Sequence, residues 1–201
     1  MSDAWLIAGL GNPGPDYSAT RHNVGYMAVD RIAAMTGANL SRHKRAHAMV
    51  AEAKLGMPGS QTPIILVESL SYMNESGGPI KALMQFYDIP AERLIAVHDE
   101  LDIPFSALRV KLGGGDNGHN GLKSMRKSLG TGDFYRVRIG IGRPPGRQDP
   151  AAFVLKPFAS SERAELPELI ERAADATCSL ITAGLERTQS MFNTGPAKEE
   201  R

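Results

Sequence analysis

Short strand-like runs, apolar or alternating, that end on glycine or acid and are separated by segments of helical periodicity constrain this chain more than any other feature. Trp5–Gly9 is the first such run, and it predicts a strand buried on both faces. Residues 94–98 predict a second, ending on the acids Asp99, Glu100 and Asp102. Leu108–Leu112 predicts a third, with Arg109 and Lys111 on one side at period two. Residues 135–141 predict a fourth, with Arg136 and Arg138 on one side and Val137 and Ile139 on the other. Residues 46–55 and 63–68 read as two strands joined by a turn holding Gly56, Pro58 and Gly59.

Helical signals fill the gaps. Asn23 is placed to cap a helix with Met27, Ala28, Ile32 and Met35 on one face, ending near Gly37. Residues 75–87 predict a helix with Ile80, Leu83, Met84 and Tyr87 inward, and 121–129 a shorter one. Residues 144–160 read as an irregular, lid-like stretch with a short helix at 150–155. Ser161 is placed to cap a long final helix carrying Leu169, Ile170, Ala173, Leu180, Ile181 and Leu185 inward, with Pro167 asking for a kink or a later start. The alternation predicts an α/β fold with helices on both faces of a twisted sheet. The hairpin-like pair makes that sheet mixed. We expect one domain over residues 1–192, with a long C-terminal helix, and a flexible tail over 193–201.

Composition adds bounds. With 201 residues and 42% hydrophobic content the chain can build one sizeable, mostly aliphatic core. The net charge of +1 conceals an uneven distribution. Between Phe105 and Arg147 nine Lys and Arg face only Asp116 and Asp133, whereas 160–201 carries eight acids against five bases. Such a basic segment is either a solvated face or a site for an anionic partner such as phosphate. The lone Cys178, set among apolar residues of a helix, reads as packing, and it excludes an intramolecular disulfide. No apolar stretch approaches the ~18 residues of a membrane span. The strand-like run from Trp5 leaves no room for a leader, so the cytoplasm is the expected location.

Several chemistries can be weighed from motifs. Gly9-Leu-Gly11-Asn12-Pro13-Gly14 spells a dinucleotide fingerprint, but Pro13 and Pro15 interrupt the helix that would have to open there. Gly113, Gly115 and Gly118 repeat the spacing elsewhere, which shows how little it specifies. There is no nucleophile-elbow serine, and Cys178 has no histidine near it in sequence. Any hydrolysis therefore points to water as nucleophile and a histidine as base. His22 follows the glycine loop just before a helix; it reads equally as a cap or as a functional group at a sheet edge. His98 precedes Asp99 and His119 sits in a glycine loop, while His43 and His47 lie in a basic stretch and read as surface or packing. The acids at 99–102 could hold Mg²⁺, yet no second carboxylate cluster supports that, and an aspartate that orients a histidine fits better. Asn12, Asn74 and Asn120 each stand at a loop junction, as turn residues or as uncharged groups able to read an amide backbone.

Seven strings together resemble the bacterial peptidyl-tRNA hydrolase family. They are 9–14, Thr20-Arg-His-Asn-Val-Gly25, Tyr72-Met-Asn-Glu-Ser-Gly77, His98-Asp-Glu-Leu-Asp102, Lys111-Leu-Gly-Gly-Gly115, Gly118-His-Asn-Gly-Leu-Lys123 and Arg136-Val-Arg-Ile-Gly-Ile-Gly142, in the family's order. The resemblance implies a monomeric α/β hydrolase, free of metal and cofactor, that cleaves the ester between a peptide and the 3′ ribose of tRNA. It implies His22 as base, Asp99 as the acid that orients it, and Asn12 as the group that separates blocked from free aminoacyl-tRNA. Asn74 and Asn120 would hold the peptide and the 3′ end, with Tyr17, Tyr72, Met73 and His119 in the same cleft. Lys111, Lys123 and Arg138 would face the acceptor stem and its 5′ phosphate, with Arg109 beside them. Asp116-Asn117 departs from the more neutral pair of many relatives and sets a negative charge beside the basic patch.

Three other classes remain open at this point. A non-catalytic RNA-binding protein would bind tRNA without cleaving it, a nucleotide-dependent enzyme would be stabilised by NAD or ATP, and a peptidase or esterase would show no salt-sensitive affinity.

Overall fold

The computed structural model describes residues 3–193. Seven strands form one sheet in the order β2-β3-β4-β1-β5-β7-β6. They are β1 (Trp5–Gly9), β2 (Ser41–Arg42), β3 (Ala48–Leu55), β4 (Thr62–Ser69), β5 (Leu94–Glu100), β6 (Leu108–Leu112) and β7 (Tyr135–Gly140). The four central strands β4, β1, β5 and β7 are parallel; β3 and β6 run antiparallel to them, and the short edge strand β2 pairs antiparallel with β3. The expected mixed sheet is present, and its central strands are the apolar ones because both of their faces are covered.

Helices α1 (Val24–Thr36), α2 (Gly77–Tyr87), α3 (Asn120–Leu129), α4 (Pro150–Val154), α5 (Ser160–Arg163), α6 (Leu166–Thr182) and α7 (Leu185–Phe192) complete the fold. On one face Ile7, Val97 and Val137 pack with Val29 and Ile32 of α1 and Leu169 and Ala173 of α6. On the other, Leu6, Ala8 and Ala96 pack with Ile80 and Leu83 of α2 and Leu122 and Met125 of α3. The chain leaves β1 toward β4 on one side and returns through α2 to β5 on the other. The C-terminal end of β1 is therefore a topological switch point, where open α/β sheets form their ligand crevices.

Four local expectations are corrected. Asn23 precedes α1 but does not cap it with its side chain, which is engaged by the Asn12 backbone instead. Met35 is 42% exposed, since the apolar face of α1 ends at Ile32 and Ala33. Ser161 is not a cap, and the final helical stretch is three helices. Glu162 accepts from the Ala159 N–H at 2.6 Å to start α5, Pro167 opens α6, and Gly184 at φ 82° turns the chain before Leu185 begins α7. Asn193, the first residue of the expected tail, is tied to the edge strand β6. Its Oδ1 accepts from the Val110 N–H at 2.6 Å and its Nδ2 donates to the Val110 carbonyl at 3.1 Å. The amide thus substitutes for a neighbouring strand and blunts the edge. Residues 194–201 lie outside the described residues.

Candidate active site

Close approach of backbone builds this site. Gly25, in the first turn of α1, lies against β1 and β5. A Cβ there would overlap the Val97 carbonyl oxygen and come within 2.6 Å of the Leu10 amide. Only glycine lets α1 start this close to the strand ends. The short 3-10 turn Arg21–Asn23 ahead of it is thereby pressed onto the end of β5, and His22 meets Asp99.

His22 Nδ1 lies 2.9 and 3.0 Å from the two carboxylate oxygens of Asp99. His119 Nε2 lies 2.7 Å from Asp99 Oδ1. The His119 tautomer follows from its other nitrogen: Nδ1 accepts from the N–H groups of Gly121 and Leu122, capping α3, so the proton sits on Nε2 and is donated to Asp99. Asp99 itself is buried. Burial by itself would raise its pKa, but the neighbouring His22 and His119 outweigh it and hold the carboxyl well below the usual carboxylate range. A carboxylate that accepts at His22 Nδ1 leaves His22 Nε2 with a lone pair. His98 stands behind, fully buried, its Nδ1 at 2.8 Å from the Asp99 carbonyl; burial, then His119, push its pKa well down, so it is neutral.

Asn12 closes the opposite wall. Its backbone N–H donates to Asn23 Oδ1 and its carbonyl accepts from Asn23 Nδ2, both at 2.9 Å. Its own Oδ1 accepts from the Met73 N–H at 2.7 Å, which leaves its Nδ2 donors for a ligand. A cavity of about 610 Å³ opens here, lined by Asn12, His22, Met73, Asn74, Asp99, His119 and Asn120, with Pro150, Ala151, Val154 and Leu155 of the lid segment opposite. Seven residues expected in one cleft thus meet in one cavity. Tyr17 and Tyr72 do not line it. Their rings meet edge to face at 6.2 Å, and Tyr72 is 56% exposed.

The basic residues divide. Arg109 and Lys111 lie on β6, in register with Arg138 and Arg136 of β7, and Lys123 is exposed on α3. Arg138 directs Nε and Nη2 at Glu100 Oε2, at 3.2 and 3.1 Å, and Asn117 Nδ2 joins the same oxygen. Arg136 is buried and grips the carbonyls of Gly114, Gly115 and Gly132; burial first, then the charges of Arg126 and Arg138, push its pKa down to about 10. It shapes the glycine loop and offers no charge to a partner. Asp116 is neutralised by Arg126 at 2.9 Å and accepts the Gly118 N–H.

Sequence reasoning passes over Arg21. Its guanidinium is 4.0 Å from the Phe153 ring centre and donates to the Pro157 carbonyl at 2.9 Å and to Glu162 at 2.7 Å, locking the lid segment to the turn that carries His22. Nothing in the sequence separates a buried structural arginine beside a histidine from a solvated one. Among the described residues His22, Asp99 and His119 also place ligand atoms within 4.8 Å of one another, a set that could share a metal ion. In the arrangement present, each polar atom they direct at one another is matched donor to acceptor.

Fold and site define the class: an α/β protein with a carboxylate-held imidazole at the switch point of a mixed sheet, an arrangement suited to general-base chemistry. The family model for peptidyl-tRNA hydrolase matches residues 6–200. The chain is 56% identical over 191 residues to the peptidyl-tRNA hydrolase of Streptomyces coelicolor, covering 94% of this chain and 95% of that one. It is 57% identical over 189 residues to that of Frankia casuarinae, covering 94% and 93%. The crystal structure of the Acinetobacter baumannii enzyme superposes with a TM-score of 0.84 at 32% identity, over 96% of each chain. The chain belongs to the peptidyl-tRNA hydrolase family.

Proposed function

We propose that this enzyme hydrolyses the ester joining a peptide, or an N-blocked aminoacyl group, to the 3′ ribose of tRNA, and so returns tRNA from stalled or aborted translation. The observation that carries the mechanism is the His22–Asp99 pair. With Nδ1–H held by the carboxylate, His22 Nε2 takes a proton from water as the water oxygen attacks the ester carbonyl. The tetrahedral intermediate collapses with cleavage of the bond to the ribose oxygen, and the imidazolium returns its proton to that oxygen. Asp99 stays ionised throughout and stabilises the imidazolium. His119, held by the α3 cap, fixes the carboxylate from its other side. The Nδ2 of Asn12 and the amides of Asn74 and Asn120 are uncharged groups suited to a peptide backbone beside an RNA end. Selectivity for blocked substrates is assigned to Asn12.

The acceptor stem and its 5′ phosphate are assigned to the flank carrying Lys111, Lys123 and Arg109. Arg138, engaged by Glu100, acts there by holding the 116–118 loop as much as by direct contact. No metal or cofactor takes part in this reading. The enzyme works as a monomer in the cytoplasm, where its substrate arises; no helix of the described residues is long and apolar enough to cross a membrane. The test is release of N-acetyl-amino acid from tRNA by wild type and His22→Ala, with and without EDTA, beside unblocked aminoacyl-tRNA. The expected result is cleavage of the blocked substrate alone, indifferent to EDTA and nearly abolished in His22→Ala. A His22→Ala variant with normal kcat removes the base. A folded wild type that binds tRNA without cleaving it removes the hydrolase reading.

A further inference from the structure

The chain carries a second cationic cluster that the site does not use. Strand β2 and the loop after it present Arg42, Lys44 and Arg45, all exposed, and none forms an ion pair among the described residues. They border a groove of about 510 Å³ between the β2–β3 edge and the last turn of α2. Phe86, an aromatic residue left 49% exposed, forms its floor. The Arg45 guanidinium lies 5.7 Å from the Phe86 ring centre, and the His43 ring meets Phe86 edge-on at 4.9 Å. His43 Nδ1 accepts from the N–H groups of Arg45 and Ala46, so the loop has a built shape. The one acid in the groove wall, Glu52, accepts from the Tyr87 hydroxyl at 2.9 Å.

Its position matters. Ala48 of β3 is in register with Ser69 of β4, and Gly9 of β1 with Glu68, so the 43–47 loop lies at the same end of the sheet as the catalytic cavity. Strand β3 is three strand spacings from β5, about 14 Å. The cavity is thus flanked on both sides by cationic surface: β6, β7 and α3 on one side, the 42–45 loop on the other.

We propose that this groove is a second RNA-binding site, taking backbone phosphates on Arg42, Lys44 and Arg45 and an unpaired base against Phe86. The proposal rests on the peptidyl-tRNA reading above. The constant anion in such a substrate is RNA phosphate, whereas the attached peptide has no fixed charge; a groove of three cations with no ion pair among the described residues, around an exposed aromatic, suits the RNA. Guanidinium planes and an aromatic ring together form a base-stacking surface of the kind that binds single strands.

The test compares wild type with Arg42→Ala/Lys44→Ala/Arg45→Ala and with Phe86→Leu, which keeps the apolar packing of α2. Two readouts are taken: affinity for deacylated tRNA across a KCl titration, and turnover of N-acetyl-aminoacyl-adenosine, which is too short to reach the groove. The expected result is unchanged turnover of the short ester and weaker tRNA binding. The slope of log K against log salt falls by about 2 in the triple variant, at ~0.7 for each single-strand phosphate no longer neutralised. Phe86→Leu weakens binding about fivefold, the effect of unstacking one base. If the triple variant does not fold, Lys44→Gln alone is read by a slope change of about 0.7. Unchanged affinity and slope overturn the proposal. So does binding of a poly-glutamate peptide that the triple variant loses while its tRNA affinity stays intact, which would assign the groove to acidic protein. Failure of wild type to cleave the short ester and full peptidyl-tRNA alike speaks against the hydrolase reading, while the salt slope still decides the groove.

Discussion

Replacing Asp99 by Asn tests the site at its centre, because the amide cannot do for two histidines what the carboxylate does. Asp99 accepts from His22 Nδ1 at 2.9 Å and from His119 Nε2 at 2.7 Å. An asparagine offers one accepting oxygen and one donating NH2. His119 has no freedom to adapt, since its Nδ1 must keep accepting from Gly121 and Leu122 and its proton therefore stays on Nε2. The asparagine oxygen must turn to His119, and its NH2 then faces His22. His22 Nδ1 can meet that donor only as an acceptor, which moves its proton to Nε2, the nitrogen that has to take a proton from water. The side chain that was a base becomes blocked by its own hydrogen.

The expected loss is that of general-base assistance, ~10²–10⁴-fold in kcat, or about 3–5 kcal/mol. The assay is single-turnover release of N-acetyl-amino acid from saturating N-acetyl-aminoacyl-tRNA, with thermal unfolding to confirm a native fold. The tautomer argument makes a further demand. Adding His119→Ala to Asp99→Asn frees the amide to turn its oxygen toward His22, so the double variant should recover about tenfold over the single one. An Asp99→Asn enzyme within tenfold of wild type, or a double variant slower than Asp99→Asn, would refute the reasoning.

Two further outcomes follow from the same structure. Glu68, half-buried beside Asp30, has its pKa raised from 4.5 to about 8 by burial first and by Asp30 second. The folded protein thus holds a proton that the unfolded chain releases, so stability should fall as pH rises from 4.5 through about 8. At about 1.4 kcal/mol per pH unit this gap sets a ceiling of about 5 kcal/mol. Urea unfolding at several pH values should show Glu68→Gln losing this dependence and exceeding wild type at high pH; parallel curves would count against it. Gly25→Ala should destabilise the fold by about 1–3 kcal/mol through overpacking against Val97 and Leu10, and lower kcat by displacing His22. Native stability and full activity in Gly25→Ala would show that the approach of α1 is not needed.

What the sequence could and could not show divides along a physical line. Strands β1, β5 and β7 were legible because burial on both faces leaves a continuous apolar signature, and β3 with β4 because a turn separates two strand-like runs. The final helix was legible as apolar periodicity, but its break at Gly184 was not, because glycine permits the φ of 82° that turns the chain there without requiring it. Among site residues, His22 and the three asparagines stood out at loop junctions, where caps, turn residues and functional groups look alike; their roles, with that of Asp99, came from the family resemblance. Charge was the less direct guide. Arg136 and Arg138 counted toward a basic face, yet one supports the glycine loop from within and the other is held by Glu100. Whether an arginine faces a partner or a carbonyl depends on what tertiary structure brings beside it, as Arg21 shows from the other direction: it gathers Pro157 and Glu162 from more than 130 positions away. Long-range partners of this kind leave no local trace. The exposed cluster at 42–45, whose charges form no ion pair among the described residues, is for that reason a firmer indicator of an external anion than the longer basic segment, much of which the protein uses to hold itself together.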